Sequence, residues 1–214
     1  MNIVIIGGNA AGMSAASQVK RQQSDWSVTV LEKNSYISYA ACGIPYYVQG
    51  LVPDIDKLIT VTPGEALQKR KINLKINQFV REINKEKQIL TVESPEGVYT
   101  EAYDKLVIAC GARPSGKEID YAPAEGIFTA HNLDDADRIR TFIKTNQPRS
   151  AAVVGGGYIA VEMLEAFREL GLETHLLHRR TLSPAPLKKR FLRSPWPKWR
   201  KKGLFFILIR KLKL

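Results

Sequence analysis

The chain has 214 residues, 44% hydrophobic and 25% charged, a balance that allows a sizeable globular core and argues against a disordered chain. Two cysteines exclude a secreted disulfide framework and make a reducing cytoplasm the expected setting; no apolar run approaches the roughly 18 residues of a membrane span, and no basic leader of a signal peptide is expected. Residues 187–214 hold eleven basic side chains and no acidic one, so all of the formal +11 lies in the tail and says nothing about the body's partners.

Residues 2–6 are a short apolar run that predicts a buried parallel strand. The turn Gly7-Gly8-Asn9-Ala10-Ala11-Gly12 follows, then a small-residue helix over 13–23 and a strand over 26–31 that ends on Glu32. Strand, glycine turn, helix, strand and acid is the order of a dinucleotide fingerprint, with Glu32 20 residues past Gly12. Gly7 permits the tight turn, and Gly12 lets the helix approach the strand. The helix start offers free N–H groups to a pyrophosphate, and Glu32 can accept bonds from ribose hydroxyls. Asn9 replaces the middle glycine of the usual pattern; an ordinary strand–helix turn is the alternative, and the placed acid counts against it.

Residues 35–47 set Cys42 in a small-residue loop after this unit. No second cysteine lies nearby, so its chemistry rests on one sulfur; a buried structural cysteine is the alternative. A helix is expected from 63 to 69. Short alternating runs at 72–76, 78–83 and 88–92 predict an antiparallel β-meander. Residues 103–109 form an apolar strand closing on Cys110-Gly111-Ala112-Arg113-Pro114, where Cys110 reads as packing. Asn132 or Asp134 caps a helix reaching about residue 144.

The first unit then repeats. A strand at 151–154, the turn Gly155-Gly156-Gly157-Tyr158-Ile159-Ala160, a helix at 161–170 and a strand at 173–177 predict a second nucleotide bound in tandem. His178-Arg179-Arg180 stands where this unit places its ribose-reading acid. Bases there suit the 2′-phosphate of NADPH; a solvated basic turn is an equal alternative. His131 and His175 lack metal-ligand company, so no metal site is expected.

Taken in order, the glycine turn, Glu32, the segment Ser38-Tyr39-Ala40-Ala41-Cys42-Gly43-Ile44-Pro45-Tyr46-Tyr47, the strand closing on Cys110 and the second turn resemble the pyridine nucleotide–disulfide oxidoreductases over about residues 1–180. The single-cysteine branch of coenzyme A-disulfide reductase, with NADH oxidase and peroxidase, is the most similar. The resemblance implies FAD bound by Gly7, Ala10, Ala11, Gly12, Glu32 and Lys33. Cys110 and Gly111 would close over the flavin; the family usually has threonine at the first of these. It implies NADPH or NADH on Gly155, Gly157, Tyr158, Ala160 and Glu162, with His178 and Arg179 at the ribose. Cys42 would be the catalytic thiol, passing electrons to coenzyme A disulfide, or cycling through a sulfenic acid with O2 or peroxide.

Ser14, Gln18 and Arg21 fall at i, i+4, i+7 on one face of the first helix. By the resemblance these positions, with Ser38, contact coenzyme A; a solvated face is the alternative. Ala41 departs from the asparagine usual before the cysteine in that branch.

The expected architecture is α/β, with tandem Rossmann-like FAD and NAD(P)H units, an antiparallel β-meander and an incomplete C-terminal part. Residues 1–147 are assigned to an incomplete FAD domain, 148–180 to the first βαβ unit of the NAD(P)H domain, and 181–214 to a basic tail outside the family pattern. A truncation or a shifted reading frame is the expected account of the break near residue 180. With it the family's homodimer interface would be missing and activity impaired, leaving a non-enzymatic dinucleotide-binding remnant as the other reading. The tail carries no nucleic-acid recognition motif, and neither a specific nucleic acid nor a membrane is expected as partner.

Overall fold

A computed structural model describes residues 1–114, 125–178 and 204–208. The chain divides into two compact units: Met1–Ala41 with Asp56–Arg113, and Cys42–Ile55 with Pro114–Leu214. The expected α/β, Rossmann-like architecture is borne out.

The first unit centres on a parallel sheet. Its strands are β1 (Asn2–Ile6), β2 (Ser27–Leu31), β3 (Asn73–Lys75) and β7 (Lys105–Ile108), in the order β3-β2-β1-β7. Alternation along β1 explains the layering: Ile3 and Ile5 join Met13, Ala16, Val28, Val30 and Ile72 in one cluster, while Val4 joins Leu31, Leu90 and Val92 in another. The first cluster packs under helices α1 (Ala10–Gln22) and α3 (Pro63–Arg70). The second holds the antiparallel meander β4 (Phe79–Asn84), β5 (Ile89–Ser94) and β6 (Gly97–Ala102). A Lys75–Glu101 ion pair of 2.9 Å, with the ammonium 5.2 Å from the Tyr99 ring centre, ties the two sheets at one corner.

Two expectations are corrected here. The run at 72–76 does not open the meander: Asn73–Lys75 pairs parallel with β2, and Gly97–Ala102 is the meander's third strand. A short alternating run looks the same in either pairing, and register with β2 decides it. Helix α1 also begins at Ala10, not at residue 13, because the turn closes within three residues and Asn9 stands at the N-cap. Asn132, and not Asp134, caps the helix α4 (Leu133–Asn146), accepting from the Asp135 N–H at 2.8 Å.

In the second unit β8 (Ser150–Val154), β9 (Glu173–His178) and β10 (Leu204–Leu208) form a parallel sheet in the order β10-β9-β8. Helix α5 (Tyr158–Glu169) covers it through Leu164, packed with Leu176, Val153 and Ala160. Helix α2 (Ile44–Gln49) lies against α4 and α5. The basic stretch beyond residue 180 was not expected to supply another strand, yet Leu204–Leu208 pairs with Thr174–His178 in parallel register. Its apolar run Leu204-Phe205-Phe206-Ile207-Leu208 was overshadowed by the charge around it. Among the described residues no helix is long and apolar enough to cross a membrane.

Helix α3 starts on a reciprocal cap: the Glu65 N–H donates to Thr62 Oγ1, and the Thr62 N–H donates to Glu65 Oε2. The Lys69 ammonium 2.9 Å away, then these Thr62 bonds, hold the Glu65 carboxyl down to about 2 from its ordinary 4.5. Because the folded value is the lower one, the group stabilises the fold fully above pH 4.5 and loses that effect as pH falls towards 2. Glu65→Gln is expected to flatten the acid-side fall in melting temperature, followed by circular dichroism; an equal fall in both proteins would refute it.

Candidate functional site

The turn after β1 is held from two sides. The Gly7 N–H donates to the Leu31 carbonyl at 2.8 Å, and the Ala109 N–H donates to the Ile6 carbonyl at 2.8 Å. Gly7 has φ +104°, and a Cβ there would lie 2.3 Å from the Ala109 oxygen; a Cβ on Gly12 would lie 1.8 Å from the Gly7 oxygen. The backbone approach therefore admits only glycine at both places.

Glu32 directly follows β2 and is 6% exposed. Its Oε2 accepts from the Gly8 N–H at 2.7 Å, and its Oε1 accepts from the Asn34 N–H at 2.9 Å and the Asn34 Nδ2 at 2.7 Å. Its main chain is fixed by the Lys75 carbonyl and the Gln78 N–H. A carboxylate has about four lone-pair positions, and three are used, so one remains for a ribose hydroxyl. Ala10 and Ala11 are exposed at the start of α1, and Asn9 makes no side-chain cap bond. The first-turn N–H groups thus stay free for a phosphate. These residues fit an adenine dinucleotide, with Lys33 exposed beside them. Asn34 was missed by sequence reasoning; its only signal was an amide two residues after the acid.

The segment leading to Cys42 is fastened to the same turn. The Ser38 N–H donates to the Gly8 carbonyl at 3.0 Å, and Ser38 adopts φ +42°. Its Oγ lies 2.9 Å from Thr60 Oγ1, and the Ala40 N–H donates to the Leu58 carbonyl at 2.8 Å. Cys42 falls in a 3-10 turn, Ala41–Gly43, that runs straight into α2. It is exposed, which removes the buried structural reading. Cys110 is exposed as well, correcting its reading as a packing residue. It follows β7, which among the described residues is the edge strand of the sheet, where less of the chain is covered. Gly111 follows at φ +67°.

On α1, Ser14, Gln18 and Arg21 are exposed, and the Arg21 Nη2 donates to Gln18 Oε1 at 2.7 Å. Arg70, at the end of α3, donates to Ser17 Oγ at 3.1 Å and so brings a second guanidinium to this face. Sequence reasoning overlooked it because Ser17 is 53 residues away; the basic triplet Lys69-Arg70-Lys71 was the available signal.

The second turn repeats the first. The Gly155 N–H donates to the Leu177 carbonyl at 2.9 Å, and Gly155 has φ +130°. Gly157 caps α5 without a side-chain bond, Tyr158 is 61% exposed, and Glu162 is exposed. Ala160 packs inward at the place Gly12 holds in α1. The register pairs Val154 with Leu177 as it pairs Ile6 with Leu31, so His178 takes the topological place of Glu32. Arg179 lies outside the described residues.

The family model described as pyridine nucleotide-disulphide oxidoreductase matches residues 1–204. The chain is 41% identical over 177 residues to the NAD(P)H sulfur oxidoreductase (CoA-dependent) of Pyrococcus abyssi, covering 83% of this chain and 39% of that one. It is 35% identical over 181 residues to the coenzyme A disulfide reductase of Staphylococcus haemolyticus, covering 83% of this chain and 40% of that one. The crystal structure of reduced Bacillus anthracis CoADR-RHD superposes with a TM-score of 0.89 at 31% identity, covering 97% of this chain and 38% of that one. The chain therefore spans well under half the length of the relatives it matches.

The steric difference between the two turns is testable on melting temperature. Gly12→Ala forces a Cβ into the Gly7 carbonyl and is expected to cost about 1–3 kcal/mol. Gly157→Ala, at φ −84° with no atom of the described residues within 4 Å of the new carbon, is expected to cost less than about 1 kcal/mol. Equal losses would refute the packing argument.

Proposed function

The chain belongs to the pyridine nucleotide-disulphide oxidoreductase family, and on that footing we propose that it carries the flavin turn, the nicotinamide turn and the thiol of a coenzyme A-disulfide reductase. The observation that supports this most is the repeated turn. The Gly7 and Gly155 N–H groups donate to the carbonyls of Leu31 and Leu177, the residues immediately before Glu32 and His178, in the same register, so one turn device occurs twice in one chain.

In this reading residues 1–147 bind FAD. The first-turn N–H groups of α1 face the pyrophosphate, and Glu32, oriented by Gly8 and Asn34, takes a ribose hydroxyl. Gly155, Gly157, Tyr158, Ala160 and Glu162 serve the nicotinamide cofactor. His178 and Arg179 replace the acid that would repel a 2′-phosphate, which favours NADPH. When bound, the flavin would relay the two electrons of a nicotinamide hydride to sulfur.

Cys42 attacks one sulfur of coenzyme A disulfide as the thiolate. The S–S bond breaks, one coenzyme A leaves as thiolate, and the other stays bonded to Sγ; two electrons and a proton release it. Ser14, Gln18, Arg21 and Ser38 hold the substrate, with Arg21 pairing a phosphate. A Pyrococcus horikoshii relative, 40% identical over 177 residues and described as an NAD(P)H coenzyme A polysulfide/persulfide reductase, favours a coenzyme A persulfide as the second acceptor to consider.

Two measurements test the proposal. Titration with FAD is expected to show binding that weakens at least tenfold in Glu32→Ala. Incubation with coenzyme A disulfide is expected to place one coenzyme A on Cys42 and not on Cys110, read by peptide mass, with slower addition in Arg21→Ala. Equal labelling of the two cysteines, or FAD binding indifferent to Glu32, would overturn it; faster reaction with the persulfide, or with O2 alone, would move the acceptor assignment.

A further inference from the structure

Helix α2 has six residues, Ile44–Gln49, too few to hold a helical shape unaided. The segment that carries Cys42 must therefore be held by something outside itself. The C-terminal end of α2 shows what holds it. Gly50, at φ +93°, donates to the Tyr46 and Tyr47 carbonyls, and the Val52 N–H donates to the Tyr46 carbonyl. The next two carbonyls, of Val52 and Pro53, both accept from Arg140 Nη1, at 3.2 and 2.8 Å. The Arg140 guanidinium also stacks on the Tyr47 ring, 4.3 Å from its centre. Tyr47 is 6% exposed, and its hydroxyl donates to Asp137 Oδ1 at 2.7 Å. Asp137 and Arg140 stand three apart on α4, on one face of that helix.

We propose that Tyr47, Asp137 and Arg140 are positioning residues for Cys42, a clamp from α4 that fixes the run Ala41–Gln49 by its far end. Ala41–Gly43 continues into α2 without a break, so the direction of the helix sets the direction of the cysteine. Burial first, and then the bond to Asp137, raise the Tyr47 hydroxyl above the ordinary phenol range, so it remains the donor through neutral pH. Tyr47 and Asp137 are 90 residues apart, which is why no local pattern marks the pair.

The clamp's bearing on coenzyme A rests on the function proposed above, and the test separates the two. Tyr47→Phe removes one hydroxyl and keeps the buried ring; Asp137→Ala removes the acceptor; Asp137→Asn keeps it. In the first two, backbone amides of residues 43–49 are expected to exchange at least fivefold faster than in the parent, with those of β1 and β2 unchanged. Addition of coenzyme A disulfide to Cys42 is expected to slow at least fivefold. Alkylation of Cys42 by iodoacetamide, which needs no orientation, should change less than twofold, and Asp137→Asn should restore parental behaviour. Unchanged exchange, or coenzyme A addition and alkylation moving together, overturns the clamp. If the parent shows no preference of coenzyme A disulfide for Cys42 over Cys110, the substrate reading falls, while the exchange rates still decide the clamp.

Discussion

Two backbone approaches, Gly7 on the Ala109 carbonyl and Gly12 on the Gly7 carbonyl, govern the first unit. They bring the ends of β1, β7 and α1 to one point. Neither contact is compatible with a Cβ, so the residue type and the architecture imply each other. Glu32 completes the arrangement: it is a buried carboxylate held by main-chain and side-chain donors, and its cost of burial is offset by three hydrogen bonds. A buried acid held this way is oriented before any ligand arrives.

The second unit uses the same turn in looser surroundings. Among the described residues no atom lies within 4 Å of a Cβ built on Gly155 or Gly157, and Ala160 is accepted where the first unit requires Gly12. Sheet order accounts for the space at Gly155, whose counterpart Gly7 meets the Ala109 carbonyl at the end of β7. In the first unit β7 lies beside β1 and crowds the turn, whereas among the described residues β8 is an edge with β9 on one side only. Val154, Tyr158 and Ile159, at the end of β8 and the start of α5, are correspondingly exposed. The relatives that match are more than twice as long as this chain.

The cysteine segment is fastened on both sides of Cys42. Before it, Ser38 bonds to Gly8 and Thr60; after it, Tyr47 and the Val52 and Pro53 carbonyls bond to α4. None of these bonds lies within one helix or strand.

Much of this was legible without coordinates. Glycine spacing, the acid after β2, the repeat after residue 150 and the family resemblance are local patterns, and local patterns survive in one dimension because backbone sterics and hydrophobic period act over a few residues. What stayed hidden was decided by partners far apart in the chain. Pairing with β2 placed Asn73–Lys75 in the parallel sheet, the edge position of β7 exposed Cys110, and pairing with β9 made a strand of Leu204–Leu208 inside a basic stretch. Asn34 on Glu32, Arg70 on Ser17 and Arg140 on Tyr47 belong with these. The amino-acid order alone determined which residues were able to build the turns and supply the thiol. Only folding decided which polar groups steady them, because a hydrogen bond depends on distance in space and carries no trace of separation along the chain.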